Sequence, residues 1–482
     1  MKIRSVFSII LILLEAMTIQ SCSTSNDTVT ASELDVYKDS VSINTLDFPI
    51  SSGSAVVGIK CDADWNAEVL DTSWVNISNH AGYGYADKWS YIKVAVSRNA
   101  TTKRSTQLII SSGNLSKVVK INQNGATMDS GDPFESAYSL VSNIKLGYNL
   151  GNTLDANPDI NQSWFNPKTV YDWETSWGQP ITTQAMIDAI TTKGFNIIRV
   201  PVTWYPHIDT DGNVDEAWMN RVEDVVKYVL KSGAYCILNV QHDCGAKDAS
   251  RKDDAGWLVC DANRYSAIST RLKSLWKQIA TRFKDYDEKL IFEAFNEILD
   301  SKYEWGDPTD ANACMIVNKL EQDFVDAVRA TGSKNEYRNL VCNPYGAGST
   351  IPKLKGFAVP NDKHPNHIVA SIHSYDPYNF CNDAGTNNIS VFDSSCEKEV
   401  SDVITRTSNR FDDLGIPFFF GEFGAIDEKK SMSERIKYAK YAITQMRAKD
   451  TTGLWWMGLY DRNKNTWYES EIVDALLGVS SK

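Results

Sequence analysis

Two carboxylates, Glu297 and Glu422, each stand at the end of a short apolar run with strand character. The first run is Leu290-Ile291-Phe292-Glu293-Ala294-Phe295-Asn296-Glu297, and the second is Ile416-Pro417-Phe418-Phe419-Phe420-Gly421-Glu422-Phe423-Gly424. An acidic side chain ending a buried run is costly unless it is paired or used. Two such ends, far apart in the chain, suggest a pair of acids converging over one barrel mouth. A nucleophilic carboxylate and a proton-carrying one, about 5 Å apart, are what retaining hydrolysis of a glycosidic bond requires.

Other apolar runs end in side chains that fit the same chemistry. Arg199 lies in Ile197-Ile198-Arg199-Val200-Pro201, and His242 in Asn239-Val240-Gln241-His242-Asp243. Asn296 precedes Glu297, His373 and Tyr375 close a third run, and Trp455-Trp456 close the last. A lone Arg at such a place is usually an ion-pair partner, and a lone His a satisfied hydrogen-bonder. The whole ordered set is not explained in that way. In the chemistry it fits, Glu422 attacks the anomeric carbon and forms a glycosyl-enzyme. Arg199 beside it favours the ionised form, and Tyr375 donates to it. Glu297 protonates the leaving oxygen and then deprotonates water. Asn296 hydrogen-bonds the sugar 2-hydroxyl, and Trp456 stacks under the pyranose in the −1 subsite. Asn152, His207 and Trp177 are further candidates for the cleft. So are Trp173, Trp204, Trp257, Tyr303, Trp305, Tyr378 and Trp467, all on loops of the same face.

The elements that must hold this set are eight strand-like runs separated by helix-like ones. The runs lie near 145–150, 196–201, 235–240, 290–295, 339–342, 368–372, 416–420 and 453–457. Between them, Val222, Val225, Val226 and Val229 recur at helical spacing, as do Leu272, Leu275, Trp276, Ile279 and Phe283. The pattern predicts an α/β fold, a (β/α)8 TIM barrel over 134–482, with chemistry at the C-terminal strand ends. A linker at 127–133 precedes it. From 35 to 126 the chain reads as a small all-β, Ig-like sandwich, with Ile92, Val94 and Val96 alternating to one side. Trp65 and Trp74 are placed in its core, which favours a spacer, and no cluster of exposed aromatics stands out there.

The N-terminus reads as an address. Lys2 and Arg4 precede an apolar run from Val6 to Leu14, too short to span a membrane permanently. Residues 1–22 read as a lipoprotein signal peptide with its lipobox: Ile19-Gln20-Ser21-Cys22 resembles the bacterial motif in which the Cys is lipidated and becomes residue one after cleavage. A polar tether follows at 23–34. These features predict an exported outer-membrane lipoprotein, at the cell surface or on the periplasmic face. Cys244 with Cys260, and Cys381 with Cys396, bracket loops and could bridge; Cys236 and Cys342 read as buried thiols. The net charge of −12 argues against a nucleic-acid partner. The six His are scattered, with no metal-ligand spacing, so neither a metal nor a cofactor is expected, and the chain is read as a monomer.

With these motifs in view, residues from about Pro133 onward resemble glycoside hydrolase family 5, a clan A family of retaining β-glycanases. Gly147-Tyr148-Asn149-Leu150-Gly151-Asn152-Thr153-Leu154-Asp155 and Glu174-Thr175-Ser176-Trp177-Gly178-Gln179-Pro180 are similar to its subfamily 4. The resemblance implies Glu297 as acid/base, Glu422 as nucleophile, and Arg199, His242, His373, Tyr375 and Trp456 as substrate contacts. It implies an endo-β-1,4-glucanase acting on a plant β-glucan polysaccharide, with xyloglucan, mannan or xylan as alternative backbones. A surface glycan-binding protein without catalysis is a further alternative, against which the intact acid pair speaks. Two departures bear on specificity. Gln241 precedes His242 where many members have His, and Trp455-Trp456-Met457-Gly458-Leu459 replaces Trp-Trp-Asp-Asn-Gly. Ala63-Asp64-Trp65, Ser73-Trp74-Val75 and Asn122-Gln123-Asn124-Gly125 resemble the BACON domain.

Overall fold

The computed structural model describes residues 30–48, 50, 52–99, 103–125, 132–247, 250–382, 389–426 and 429–480. The leader with Cys22, most of the tether and most of the 127–133 linker lie outside the described residues. Among the described residues, no helix is long and apolar enough to cross a membrane.

The N-terminal part is a β-sandwich. One sheet orders Val41–Ser42, Leu34–Lys38, Gly53–Cys61, Ser90–Val96 and Val75–Ile77. The other orders Thr45–Phe48, Leu115–Gln123, Arg104–Ser112, Trp65–Val69 and Ala81–Gly82. Inward residues of both sheets, Ile92, Val94, Leu108, Ile110 and Val119 among them, form one core that includes Trp65 and Trp74. Tyr83, Tyr85 and Tyr91 are each exposed, in or just before Ser90–Val96. They alternate with inward residues or stand in a loop, so hydropathy alone does not flag them. The sandwich touches the barrel through Arg98, whose Nη1 donates to the Asp450 carbonyl (2.8 Å) and whose guanidinium lies over the Tyr138 ring.

The rest is a closed barrel of eight parallel strands in chain order. They are β1 (Gly147–Asn149), β2 (Ile197–Val200), β3 (Tyr235–Leu238), β4 (Leu290–Glu293), β5 (Leu340–Cys342), β6 (Ile368–Ser374), β7 (Phe418–Phe423) and β8 (Gly453–Trp456). Side chains alternate along a strand, so the interior is built in layers. The floor is apolar: Ile197, Ile237, Ile291, Val341, Val369, Phe419 and Leu454 pack on Ala137, Leu140 and Val141 of the short helix Ala137–Asn143. β1 contributes Gly147 there, because a Cβ at that point would sit 2.1 Å from Leu454 Cγ.

Two positions further along, the interior turns polar. The residues are Asn149, Arg199, Asn239, Glu293, Asn343, Ser371, Gly421 and Trp456. Strict alternation in β7 points Phe419 and Gly421 inward and Glu422 outward. The pairing of β7 instead shifts register against both neighbours, so His373 stands opposite Glu422. Such a bulge re-aims a side chain, and here it turns Glu422 into the barrel.

The helices between strands follow the predicted faces. Glu216–Lys231 buries Trp218, Val222, Val225, Val226 and Val229, and Asp215 caps it by accepting from the Trp218 N–H. Cys244, Cys260, Cys381 and Cys396 are free thiols, so neither suggested bridge forms, and Cys236 and Cys342 are buried thiols too.

Candidate active site

The polar layer is organised around Arg199, which is completely buried. Its Nε donates to Glu293 Oε2 (2.6 Å), its Nη1 to Glu422 Oε1 (2.8 Å) and Asn149 Oδ1 (3.1 Å), and its Nη2 to Asn296 Oδ1 (2.9 Å). Burial alone would lower the Arg199 pKa; the charges of Glu293 and Glu422 outweigh it and hold the guanidinium protonated. Asn149 donates in turn to the carbonyls of Gly421 (2.9 Å), Leu454 (3.2 Å) and Trp455 (3.3 Å). One amide thus ties the ends of β7 and β8 to the guanidinium.

Glu422 receives a second donor, the Tyr375 hydroxyl, at 2.8 Å on Oε2. Burial pushes its carboxyl above the usual range, while His373, Arg199 and the Tyr375 hydrogen bond pull the other way. Glu297 is held by His373, whose Nδ1 lies 2.8 Å from Glu297 Oε1 and 3.5 Å from Glu422 Oε1. At 2.8 Å one proton is shared, and whichever partner carries it donates. Burial lowers the His373 pKa, but Glu422 and Glu297 raise it further and win. Ligand-type atoms of Glu297, His373 and Glu422 all lie within 4.8 Å of one another. That spacing would also suit a cation, yet Arg199 already supplies Glu422 with a positive charge at contact. With Oδ1 of Asn296 committed to Arg199, its NH2 group is what Asn296 can offer a ligand.

His242 stands on the rim of the same cavity. Its Nε2 is 3.9 Å from Asp155 Oδ2, and the Trp177 ring, 36% exposed, is 5.4 Å away. Burial lowers the His242 pKa, with Asp155 opposing. Asp155 also accepts from the N–H groups of Asn152 (3.1 Å) and Thr153 (2.7 Å), which folds the Asn152–Asp155 turn. Asn152 adopts φ +60°, and its neighbour Gly151 lies against the ring of Trp456. Trp456 is partly open, whereas Trp455 is buried against Phe423 and Tyr438. The structure thus brings Arg199, His242, Asn296, Glu297, His373, Tyr375, Glu422, Trp456, Asn152 and Trp177 to one end of the barrel.

Other candidates fall elsewhere. His207 stacks on Trp218 with ring centroids 3.7 Å apart and faces Trp173, away from the cleft; burial drives its pKa down to about 3. Trp173, in the short helix Val170–Glu174, and Trp204 and Trp257 are buried packing: Trp204 Nε1 donates to the Asn239 carbonyl and Trp257 Nε1 to Asp243. Trp467 stacks on Phe195. Trp305 and Tyr378 are exposed by half or more. Gln241 is buried and accepts from Asn239 Nδ2 (2.6 Å), so it braces the end of β3. Asn149, Glu293 and Asp155 carry the site as much as the predicted residues do. Their signal was the period-two count from Gly147 and Ile291, and the run of N–H groups that a buried Asp can accept.

Residues 159–461 match the family model for cellulase, glycosyl hydrolase family 5, and residues 59–124 match BACON, a putative N-terminal binding domain. The chain is 34% identical to endoglucanase A of Ruminococcus albus, over 71% of this chain and 92% of that one. It is 35% identical to endoglucanase A of Clostridium longisporum, of which it spans 65%. It aligns over 97% of its own length, at 26% identity, with a xyloglucan-specific endo-β-1,4-glucanase of Bacteroides ovatus, covering 96% of that protein. A family 5 enzyme of Prevotella bryantii, solved with a xyloglucan tetradecasaccharide, superposes with TM-score 0.66 at 37% identity, over 72% of this chain and 99% of that one. A polar ring set on an apolar floor, with acids at the ends of β4 and β7, is thus found in a chain that belongs to glycosyl hydrolase family 5.

Proposed function

We propose that the protein is an exported endo-β-1,4-glucanase that cleaves internal linkages of plant β-glucans by a retaining double displacement. The observation that carries the reading is the approach of Glu297 and Glu422 to within 4.8 Å through their nearest oxygens. Inverting enzymes leave about 6.5–9.5 Å between their carboxyls to admit a water; retaining ones use about 5–5.5 Å. Glu422, held between Arg199 and Tyr375, attacks the anomeric carbon. Glu297 gives the leaving oxygen the proton it shares with His373, then takes one from water. Asn296 offers its NH2 to the 2-hydroxyl, His242 binds a further hydroxyl, and Trp456 supplies the stacking floor. Trp177 and Asn152 extend the cleft. The endoglucanases among the relatives support a glucan backbone.

A xyloglucan preference is the second reading, supported by the full-length alignment with the xyloglucan-specific enzyme of Bacteroides ovatus. Reducing-end release by residues 23–482 tests both. The substrates are carboxymethylcellulose, mixed-linkage β-glucan, xyloglucan, glucomannan and xylan. Release from the glucans with retained β-configuration is the expected result, and a first-formed α-anomer would refute retention. For the N-terminus we propose lipidation at Cys22 in the outer membrane, with the sandwich as a spacer. Loss of membrane fractionation in Cys22→Ala is the check. If pull-down on insoluble glucan finds that the isolated sandwich binds, Tyr83, Tyr85 and Tyr91 are the residues to replace.

A further inference from the structure

β4 leaves the barrel ladder early. Its last pairings with β5 are Glu293 with Val341 and the Ala294 N–H to the Val341 carbonyl (3.0 Å). The next three residues include both Asn296 and Glu297, and no strand pairing holds them. Their backbone is held by other means. The Asn296 N–H donates to the Val240 carbonyl (2.8 Å) on the β3 side. On the β5 side the Asn343 side chain takes the place of the strand: its Nδ2 donates to the Phe295 carbonyl (2.7 Å) and reaches the Asn296 carbonyl (3.5 Å). Beyond Glu297, the Gly346 N–H donates to the Ile298 carbonyl (2.9 Å).

Asn343 is itself fastened from behind. Its N–H donates to Glu321 Oε1 (2.7 Å), on the helix Ala313–Arg329. Both residues are 0% exposed. Glu321 stands in the apolar stripe of that helix, among Val317, Leu320, Phe324 and Val325. Beyond the Asn343 N–H its carboxyl meets only the weak donor of the Cys342 thiol, and Oδ1 of Asn343 has no hydrogen-bond partner. Packing between helix and strand would be served better by an apolar residue, since a buried, half-satisfied carboxyl is costly. What the pair achieves is a rigid path from the helix to the peptide groups flanking Asn296.

We propose that Asn343 and Glu321 are positioning residues for the acid/base arm. Asn343 replaces the missing rung of β4, and Glu321 fixes Asn343. Neither touches substrate. The inference rests on the assignment of Glu297 as acid/base, and the experiment separates the two.

Two substrates are compared by kcat/KM, which reports glycosylation alone. Cellohexaose needs a proton on its leaving group, and 2,4-dinitrophenyl β-cellobioside does not. Asn343→Leu keeps the volume and removes the donor. Asn343→Gln keeps the amide and displaces it by a methylene. In whichever of these folds, by thermal melt, kcat/KM on cellohexaose falls about 10- to 100-fold, the scale of a misplaced catalytic group. The aryl substrate, which keeps the Asn296 contact but needs no proton, loses markedly less, so the ratio between the two substrates changes. Glu321→Gln, which still accepts from the Asn343 N–H, keeps the wild-type ratio between the substrates. Equal losses on both substrates in the Asn343 variants, or no loss on cellohexaose, overturn the proposal. A changed ratio in Glu321→Gln overturns the part given to Glu321. Glu297→Ala runs beside them: if it too loses equally on both substrates, the acid/base assignment itself fails.

Discussion

Glu321 makes the stability of this barrel depend on pH in a way that one substitution should abolish. The carboxyl is fully buried, and burial pushes its pKa from 4.5 up to about 8, against the pull of the Asn343 N–H. It therefore keeps its proton in the folded chain over a range in which the unfolded chain gives it up. The stability this group contributes is complete below pH 4.5 and is lost as pH rises through the folded value near 8. The slope is about 1.4 kcal/mol per pH unit, so ~3 kcal/mol has gone by pH 7. Glu321→Gln has the same shape and nothing to ionise. All other titrations are common to both chains and cancel in the difference. Urea unfolding of wild type and Glu321→Gln from pH 5 to pH 8 measures it. The variant gains on wild type steadily, by about 3 kcal/mol between those limits. A gap that stays constant within about 0.5 kcal/mol would refute the reasoning, because Glu321 would then be ionised in the folded state at neutral pH.

Three further outcomes follow from the site. Glu422→Ala loses at least about 1,000-fold in kcat while cello-oligosaccharide binding by calorimetry persists; wild-type turnover would remove Glu422 from the chemistry. The proposed displacement needs Glu422 ionised, and burial raises its pKa above 4.5, so the acid limb of kcat/KM lies above that value and activity falls as pH drops through it. A limb below pH 4 contradicts the balance of burial against Arg199 and His373. Gly421→Ala places a Cβ 2.3 Å from Ser371 Oγ, which costs about 1–3 kcal/mol and disturbs the bulge that aims Glu422. Ser371→Gly in the same chain should restore both melting temperature and kcat, and failure to restore either places the strain elsewhere.

Much of the barrel is legible because its strands are buried on both faces and read as apolar runs, with polar residues at their ends. Glu297, Asn296, Arg199, His373 and Tyr375 interrupt or end such runs, so the eye finds them. Glu293 and Asn149 are missed for the opposite reason. In the sequence each is followed by further apolar residues, Leu150 after Asn149 and Ala294-Phe295 after Glu293, so a single polar residue looks like an irregularity until the inward count from Ile291 or Gly147 is made. The loop tryptophans mislead because an indole serves equally as packing and as a platform. Trp204 and Trp257 bury the ring and satisfy the N–H on Asn239 and Asp243, a partnership that depends on loops folding back over the barrel. The bulge in β7 is not written in any local pattern: alternation alone points Glu422 outward, and only pairing with β6 and β8 turns it inward.

Arg199 carries one positive charge and contacts two carboxylates, Glu293 and Glu422. With both acids ionised, these three groups carry one negative charge more than Arg199 balances, offset by His373, 3.5 Å from Glu422 Oε1, and by the Tyr375 hydroxyl. In the proposed double displacement, ester formation at Glu422 removes that surplus and leaves Arg199 and Glu293 as a balanced pair. The covalent intermediate is then the electrically neutral state of these three groups, and hydrolysis must put the excess charge back. An arginine shared in this way favours the first half of the reaction at the expense of the second. In the proposed cycle the second half then relies on Glu297, the base on the β4 arm, to help restore that charge.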